Sequence, residues 1–309
     1  MNTRKKIGGL IALTIMLAAL TACASAPTTA PTAAPAAFII VTDDAGRQVT
    51  LKNPPTRIVS LAPSNTEVLY ALELGERVIG VTEYCDYPPA AKQKPKIGGF
   101  SNIDLEKVVG LNPDLVVATN IHAKTVVPEL EKRGITVVVV EPKNVDDVLA
   151  KIAFVGKLTG ASENAAKLTA QLKSRIDAVT AKVTMAKTKP RVFYEIDKSL
   201  YTPGPGSFID DMIAKAGGVN IAANAKGSFP QLSPEAIIAQ DPQVVLLGDM
   251  NFGESPESVK ARPGWSNISA VKTGRIVPIP DENVIARPGP RIVEGLEMLA
   301  RALYPELFK

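Results

Sequence analysis

Two glutamates occupy the same place in a motif that occurs twice in the chain. Residues 104–117 read DLEKVVGLNPDLVV and residues 233–246 read SPEAIIAQDPQVVL, so Glu106 aligns with Glu235 without gaps. A carboxylate can accept paired hydrogen bonds from a guanidinium group, and near a helix N-terminus it gains about 0.3–1 kcal/mol from the helix dipole. The duplication predicts a partner that is held at both ends, by one glutamate from each copy of the motif. A local electrostatic role for each glutamate is the simpler alternative.

Two further residues could bind a metal. The only histidine, His122, could supply an axial nitrogen to cobalt or haem iron carried by a ligand. A lone histidine is, however, more often a helix cap or a surface residue. Cys85 could be a soft metal ligand, but a single thiol is more often a small buried side chain. The sequence contains no other group of metal-ligating residues, and it therefore predicts no zinc or free-metal site.

Alternating apolar strands and amphipathic helices are expected to position these residues. Strands are predicted at 57–62, 77–82, 115–118, 135–140, 191–196, 244–248 and 275–280. Helices are predicted at 64–74, 104–111, 122–133, 145–158, 207–217 and 293–303. Ser64 and Glu67 stand at capping-box spacing, and Ser207 and Asp210 take the corresponding places later in the chain. The succession predicts an α/β fold with two similar lobes, each built on a mainly parallel sheet.

A long amphipathic segment separates the two lobes. Apolar residues recur at three- and four-residue steps at Leu168, Leu172, Ile176, Val179 and Val183. A helix of about 22 residues would run about 33 Å and join the lobes rigidly. We therefore predict an N-terminal lobe at 38–160, an interlobe helix at 161–187 and a C-terminal lobe at 188–309, with limited lobe closure.

The N-terminus has the pattern of an exported lipoprotein. Basic residues and an apolar run precede Leu20-Thr21-Ala22-Cys23, which resembles a bacterial lipobox. We predict a signal peptide at 1–22 and lipid on Cys23, with a plain signal peptide or an uncleaved anchor as the alternative. Residues 23–37 contain Ala, Pro, Thr and Ser after the cysteine and are expected to form a disordered tether.

The net charge gives no reason to expect nucleic acid as a partner. Three of the basic residues, Arg4, Lys5 and Lys6, lie in the leader, so the formal charge of +4 becomes +1 beyond it. No basic run with interleaved aromatic residues is present. We expect a monomer that does not bind nucleic acid.

Several segments together carry a resemblance to a known family. In chain order they are RIVSLAPSNTEVLYAL, GVTEYCDYPP, KIGGFSNIDLEKVVGLNPDLVVA, the long helix and FPQLSPEAIIAQDPQVVLL. This set resembles the helical-backbone (class III) periplasmic binding proteins, the substrate-binding components of ABC importers for cobalamin, ferric siderophores and haem. The resemblance covers residues 55–309. It is strongest to the cobalamin-binding branch, through the segments 84–89 and 98–106 and Pro230-Gln231.

The resemblance implies roles for several residues. In this family one glutamate at the top of each lobe docks an arginine cluster of the permease, and Glu106 and Glu235 match those positions. Tyr84, Phe100 and Phe229 match positions where cobalamin-binding relatives set aromatic rings against the ligand. Enterobacterial members have tryptophan in place of Phe100 and Phe229, which leaves the ligand open.

Further cleft residues follow a predicted strand in the C-terminal lobe. Arg287 could pair with a carboxylate or phosphate of the ligand, and Asn283 or Asp281 could bond to amide groups. Arg291 is interpreted as a structural residue at the start of the last helix.

The resemblance implies a lipid-anchored receptor that captures cobalamin or a related corrinoid and delivers it to an ABC permease dimer with its ATPase subunits. The ligand is transported cargo, so no cofactor and no catalytic residue are expected. Haem or a ferric siderophore is the alternative cargo. A more remote alternative is a metal-chelate-dependent enzyme or a sensor on the same fold, but no nucleophile elbow or phosphate loop is present. The protein would face the periplasm or the outer side of the plasma membrane.

Overall fold

The computed structural model describes residues 39–308. The predicted signal peptide at 1–22, the predicted lipid site Cys23 and the tether at 23–37 lie outside the described residues. No helix of the described residues is both long and apolar enough to cross a membrane.

An antiparallel hairpin precedes the two lobes. Its strands are β1 (Ile39–Thr42) and β2 (Gln48–Leu51). The Asp43 carboxylate accepts hydrogen bonds from the backbone N–H groups of Ala45 and Arg47 at 3.1 and 2.8 Å, which closes the turn. It also accepts one from the N–H of Val139 at 3.0 Å, so the hairpin is fixed to the first lobe.

The first lobe is built on four parallel strands that are almost entirely apolar. They are β3 (Ile58–Ser60), β4 (Val78–Val81), β5 (Leu115–Ala118) and β6 (Val137–Val139). Their order is β4-β3-β5-β6. The helices are α1 (Pro63–Ala71), α2 (Leu105–Gly110), α3 (Val126–Lys132) and α4 (Val145–Thr159). All residues of β3, β5 and β6 are buried, as expected for parallel strands covered on both faces.

The second lobe repeats this topology. Its strands are β7 (Arg191–Glu195), β8 (Val219–Asn220), β9 (Val244–Leu247) and β10 (Ile276–Pro278). The order β10-β9-β7-β8 gives each strand the same neighbours as its counterpart in the first lobe, and all pairs are parallel. Its helices are α6 (Phe208–Lys215), α7 (Pro234–Gln240), α8 (Pro256–Lys260), α9 (Ser269–Lys272), α10 (Asn283–Ala286) and α11 (Ile292–Leu303).

The long helix α5 (Ser162–Val183) has 22 residues and connects the lobes. It buries Leu172, Ile176 and Val179, and it packs against α4 of the first lobe and α11 of the second. Arg175 of this helix donates two hydrogen bonds to the Glu297 carboxylate of α11 at 3.1 and 3.0 Å. The predicted fold class, two similar parallel-sheet lobes joined by a long helix, is confirmed.

One predicted helix cap is wrong. The first helix of the first lobe begins at Pro63 after Ala62, and no side chain caps it. Ser64 therefore lies inside the helix, and the buried Glu67 side chain contacts the second lobe instead of its own helix start. In the second lobe Ser207 does cap α6, since its hydroxyl accepts a hydrogen bond from the backbone of Asp210 at 3.2 Å.

Candidate functional site

The duplicated motif forms the same structure in both lobes. Asp104 accepts a hydrogen bond from the N–H of Lys107 at 3.1 Å, and Ser233 accepts one from the N–H of Ala236 at 3.2 Å. Each side chain thereby satisfies one of the free amide groups at its helix N-terminus. Both copies then turn into a buried strand, the third of each lobe. The motif therefore places its glutamates at equivalent points of the two lobes.

Both motif glutamates face solvent. Glu106 lies in the first turn of α2, and its side chain is 82% exposed. Its Oε1 lies 3.3 Å from Nη2 of Arg133, an exposed ion pair of the kind that contributes less than about 1 kcal/mol. Glu235 lies in the first turn of α7, is exposed, and forms no salt bridge with a described residue. Both carboxylates are accessible to a cationic partner.

A cavity of about 640 Å³ lies at the carboxyl ends of the first-lobe strands. Its lining includes Ala62 and Pro63 after β3, Thr119 after β5, and Val140, Glu141 and Pro142 after β6. Ala286, Arg287 and Pro288 of the second lobe close one side. We call this cavity the cleft. It lies where ligands of parallel sheets usually bind.

Three of the six predicted ligand-binding residues line the cleft together, namely Tyr84, Phe100 and Arg287. The other three do not line it. Phe229 is 56% exposed and lies in the loop between β8 and α7 of the second lobe. Asn283 begins α10, and its N–H donates to the carboxylate of Asp281 at 3.0 Å.

His122 lies beneath the cleft wall. It is 1% exposed, and its Nδ1 accepts a hydrogen bond from the N–H of Thr119 at 3.2 Å. Its Nε2 therefore carries the proton and donates to the carbonyl oxygen of Phe100 at 2.8 Å. Burial lowers the pKa of His122, which favours the neutral ring. In this conformation both ring nitrogens are occupied by the protein.

The ring of His122 also supports the cleft aromatic residue above it. The Phe100 ring meets the imidazole edge to face, with centroids 5.5 Å apart and planes at 80°. The histidine thus fixes both the backbone and the ring of Phe100. This arrangement gives His122 a positioning role in the cleft.

Arg287 crosses from the second lobe to the first. Its guanidinium donates to the Asp86 carboxylate at 2.6 Å and to Glu67 Oε1 at 3.4 Å. It also donates to the carbonyl oxygen of Tyr84 at 3.4 Å. Burial alone would raise the pKa of Asp86, but the Arg287 guanidinium holds this pKa below its ordinary value. The charge of Arg287 is therefore already compensated by first-lobe carboxylates.

A second arginine forms a buried contact between the lobes. Arg291 donates to both oxygens of Glu67 at 2.9 and 2.8 Å, and it bonds to Asp281 at 3.2 Å. Its guanidinium lies 4.1 Å from the ring centroid of Tyr87, in cation–π geometry. Sequence reasoning missed this network, because the polar residues Ser64, Asn65 and Thr66 before Glu67 gave no sign that its side chain is buried against the other lobe.

Glu141 is a cleft residue that sequence reasoning also missed. It lies two residues after the end of β6, and its Oε2 accepts a hydrogen bond from the N–H of Asn120 at 3.0 Å. Burial and the negative charge of Asp44 raise the pKa of Glu141. Its place after a buried apolar strand was the available signal, because strand ends carry ligand contacts in such sheets.

The second lobe has a buried charge cluster at the carboxyl ends of its strands. Glu195, the last residue of β7, is wholly buried and accepts two hydrogen bonds from Arg262 at 2.6 and 2.5 Å. Asp249 follows β9, is 1% exposed, and neither of its carboxylate oxygens has a hydrogen-bond partner among the described residues. Burial, together with the negative charges of Glu195 and Glu254, raises the pKa of Asp249 to about 7.

Neither the cleft nor this cluster offers a resident metal site. Within residues 39–308, no three histidine, cysteine, aspartate or glutamate side chains are grouped so that they could hold an ion. Cys85 is buried, with its sulfur 3.2 Å from the hydroxyl of Thr66 and 3.1 Å from that of Thr82. The thiol is thus part of the first-lobe interior.

Two similar lobes, one connecting helix and an open cleft lined by apolar groups define a two-lobed ligand-binding protein. The chain belongs to the periplasmic binding protein family, whose family model matches residues 58–283. It is a substrate-binding component of an ABC transporter, a class of binding proteins and not of enzymes. The predicted resemblance to this family is confirmed.

Three similar proteins illustrate the range of the family. An uncharacterised ABC transporter substrate-binding lipoprotein, YvrC, of Bacillus subtilis is 37% identical over 281 residues, 88% of this chain and 88% of that protein. A cobalamin-binding protein of Halobacterium salinarum is 38% identical over 273 residues, 85% of this chain and 73% of that protein. The structure of the periplasmic haem-binding protein RhuT from Roseiflexus sp. RS-1 has a TM-score of 0.73 at 30% identity, covering 81% of this chain and 98% of that one.

Proposed function

We propose that this protein captures cobalamin or a related corrinoid in the cleft and delivers it to its ABC permease. The observation that carries the proposal is the lining of the cleft, where Tyr84 and Phe100 stand beside an arginine whose charge is already compensated. Flat aromatic rings bury a large area against a macrocycle at little entropic cost. The similarity to a cobalamin-binding protein supports the same cargo.

The proposed contacts come from both lobes. Tyr84, which is 59% exposed, and Phe100 would cover one face of the macrocycle, and the exposed Phe229 would contact it from the second lobe. Asn283 would bond to peripheral amide groups, and Arg287 would direct its remaining donors toward the ligand. His122 would act through Phe100 and would not bind the metal of the cargo.

The two exposed motif glutamates are the proposed contacts with the permease. Glu106 and Glu235 stand at equivalent points of the two lobes, and each offers a carboxylate to an arginine side chain. Two separated anchors would fix the orientation in which a monomeric receptor docks on a permease dimer with its ATPase subunits. Docking at both lobes would also let the permease act on the cleft between them.

Membrane attachment would come from lipid on Cys23. A lipid-anchored receptor would stay close to its permease on the exported side of the membrane. Replacing Cys23 by Ser is expected to abolish incorporation of a fatty-acid analogue into the protein, as metabolic labelling would measure. Labelling of Cys23→Ser equal to that of the wild type would contradict lipid attachment at this residue.

Haem or a ferric siderophore is the second candidate cargo. The similarity to a haem-binding protein favours haem specifically. The test is titration of the purified mature protein with cyanocobalamin, dicyanocobinamide, haemin and ferric siderophores. The cargo's own visible absorption is the preferred readout, because Trp265 is buried in the second-lobe core against Phe193 and not in the cleft. Binding of a corrinoid supports the proposal, and binding of haem or a siderophore alone would contradict it.

A further inference from the structure

In the part of the chain that the structure describes, Glu141 is the one acidic residue that lines the cleft, and it lies among apolar groups. The lining residues around it include Val140, Pro142 and Ile121, and Ile121 is 51% exposed. The charged lining residues are Glu141 and Arg287. Arg287 is already paired with Asp86 at 2.6 Å. Within the described residues, Glu141 forms no salt bridge.

The backbone holds the Glu141 carboxyl group in a fixed position. The N–H of Asn120 donates to Oε2 at 3.0 Å, and the N–H of Glu141 itself donates to the Asp44 carboxylate at 2.8 Å. Oε1 makes no hydrogen bond to a described residue, so it remains an acceptor for a group in the cleft. Asp44 is in turn bonded to Lys151 at 2.6 Å, so this lysine is engaged elsewhere.

Ligands with amide groups and ligands with carboxylates at their edge would interact differently with this carboxyl group. A carboxylate oxygen can accept a hydrogen bond from a carboxamide N–H, whereas a second carboxylate beside it would meet like-charge repulsion. The raised pKa of Glu141 agrees with a site that already disfavours negative charge. The cleft lining offers no uncompensated cation that would offset the negative charges of a propionate-edged tetrapyrrole.

We propose that Glu141 is a specificity-determining residue that accepts a hydrogen bond from a carboxamide of the ligand edge and excludes ligands with carboxylates at that edge. This inference rests on the proposed function, since it assigns the amide-edged macrocycle as the substrate class of the same cleft. Glu141 thereby discriminates between amide and carboxylate edges of similar shape through hydrogen bonding and charge.

The test compares two corrinoids that share one ring. Dicyanocobinamide carries carboxamides, and dicyanocobyrinic acid carries carboxylates at the same positions. Haemin, with its two propionates, is the third probe. Dissociation constants are measured by absorption titration for the mature wild type, Glu141→Gln and Glu141→Asp. Glu76→Gln is the matched control, because it removes an exposed glutamate before β4, at the opposite edge of the same sheet.

We expect the wild type to prefer dicyanocobinamide. Glu141→Gln should bind the carboxylate corrinoid at least about tenfold more tightly than the wild type does. It should bind dicyanocobinamide more weakly than the wild type does, because a neutral amide oxygen accepts a weaker hydrogen bond than a carboxylate. Glu141→Asp should keep the wild-type preference, and Glu76→Gln should change neither affinity.

Two results would overturn the inference separately from the proposed function. If dicyanocobinamide binds but Glu141→Gln discriminates as the wild type does, Glu141 does not read the ligand edge and the corrinoid function stands. Tight haemin binding by the wild type would contradict the exclusion of carboxylates. If no corrinoid binds the wild type, the proposed function itself fails.

Discussion

The buried carboxyl group of Asp249 should make the stability of the protein depend on pH. Its side chain follows β9, is 1% exposed and has no hydrogen-bond partner among the described residues. The charged groups that act on it are Glu195, Glu254 and Arg262, of which the two carboxylates raise its pKa and the arginine lowers it. We expect Asp249→Asn, which removes the charge at nearly constant volume, to stabilise the protein above neutral pH.

The size of the expected gain in stability for Asp249→Asn follows from the pKa of Asp249. Burial and the neighbouring charges raise this pKa from 3.8 to about 7 in the folded protein. A tenfold change in a protonation equilibrium corresponds to about 1.4 kcal/mol, so the full difference would be about 4 kcal/mol. Local relaxation and water entry reduce such penalties, and we therefore expect a gain of about 2 kcal/mol for Asp249→Asn.

Proton linkage gives the direction in which the free energy of unfolding changes with pH. Between about pH 4 and about pH 7 the folded protein keeps a proton on Asp249 that the unfolded chain has lost, so the free energy of unfolding decreases as pH rises through this window. Above about pH 7 both states are ionised, and the full penalty is present. The advantage of Asp249→Asn should thus be absent near pH 4, grow up to about pH 7 and then stay constant.

Urea denaturation of the wild type and Asp249→Asn at several pH values measures this effect. The matched control is Asp177→Asn, which removes a side chain that is 59% exposed on α5. Its effect should stay within about 0.5 kcal/mol and show no such pH window. An advantage of Asp249→Asn that is equal at about pH 5 and about pH 8, or a loss of stability at both, would show that ionisation of Asp249 does not destabilise the folded protein.

Three further tests address other parts of the structure. Glu106→Ala with Glu235→Ala should lower uptake by at least about tenfold while ligand affinity stays unchanged, since both side chains are exposed; unchanged uptake would contradict permease docking. Glu67→Gln should lower the free energy of unfolding by about 3 kcal/mol in urea denaturation, because it weakens a buried ion pair between the lobes. Its control, Glu297→Gln, weakens an exposed ion pair and should lower the free energy of unfolding by less than about 1 kcal/mol. Equal losses of stability in the two variants would contradict this prediction. His122→Gln should weaken corrinoid binding through Phe100 without changing the absorption spectrum of the bound cargo, and a changed axial-ligand spectrum would show direct coordination.

Much of the fold was predictable from the sequence because local patterns determine it. The continuous apolar strands and the spacing of apolar residues in α5 predicted seven of the ten described strands and the long helix in their order, and the motif caps Asp104 and Ser233 were predictable from residue type. The short strands β1, β2 and β8 were not predicted. The capping box at Ser64 and Glu67 was wrong because Pro63 starts the helix one residue earlier. Glu67 is needed for a contact with the other lobe, which no local pattern reveals.

The site was less predictable because its contacts join distant parts of the chain. Arg287 meets Asp86 across 201 residues, and Arg291 meets Glu67 across 224. Residue types alone suggested ligand binding for Arg287, but only the folded chain shows that its charge is already paired. The identity of the cargo and the roles of the cleft residues remain predictions.

Absorption titration of the mature protein with cyanocobalamin and dicyanocobinamide tests most directly whether the cleft binds a corrinoid. We expect saturable binding of one corrinoid per protein at micromolar concentration or below, with weaker binding of haemin and ferric siderophores. Micromolar or tighter binding of haemin or a siderophore, with no measurable affinity for either corrinoid, would contradict it.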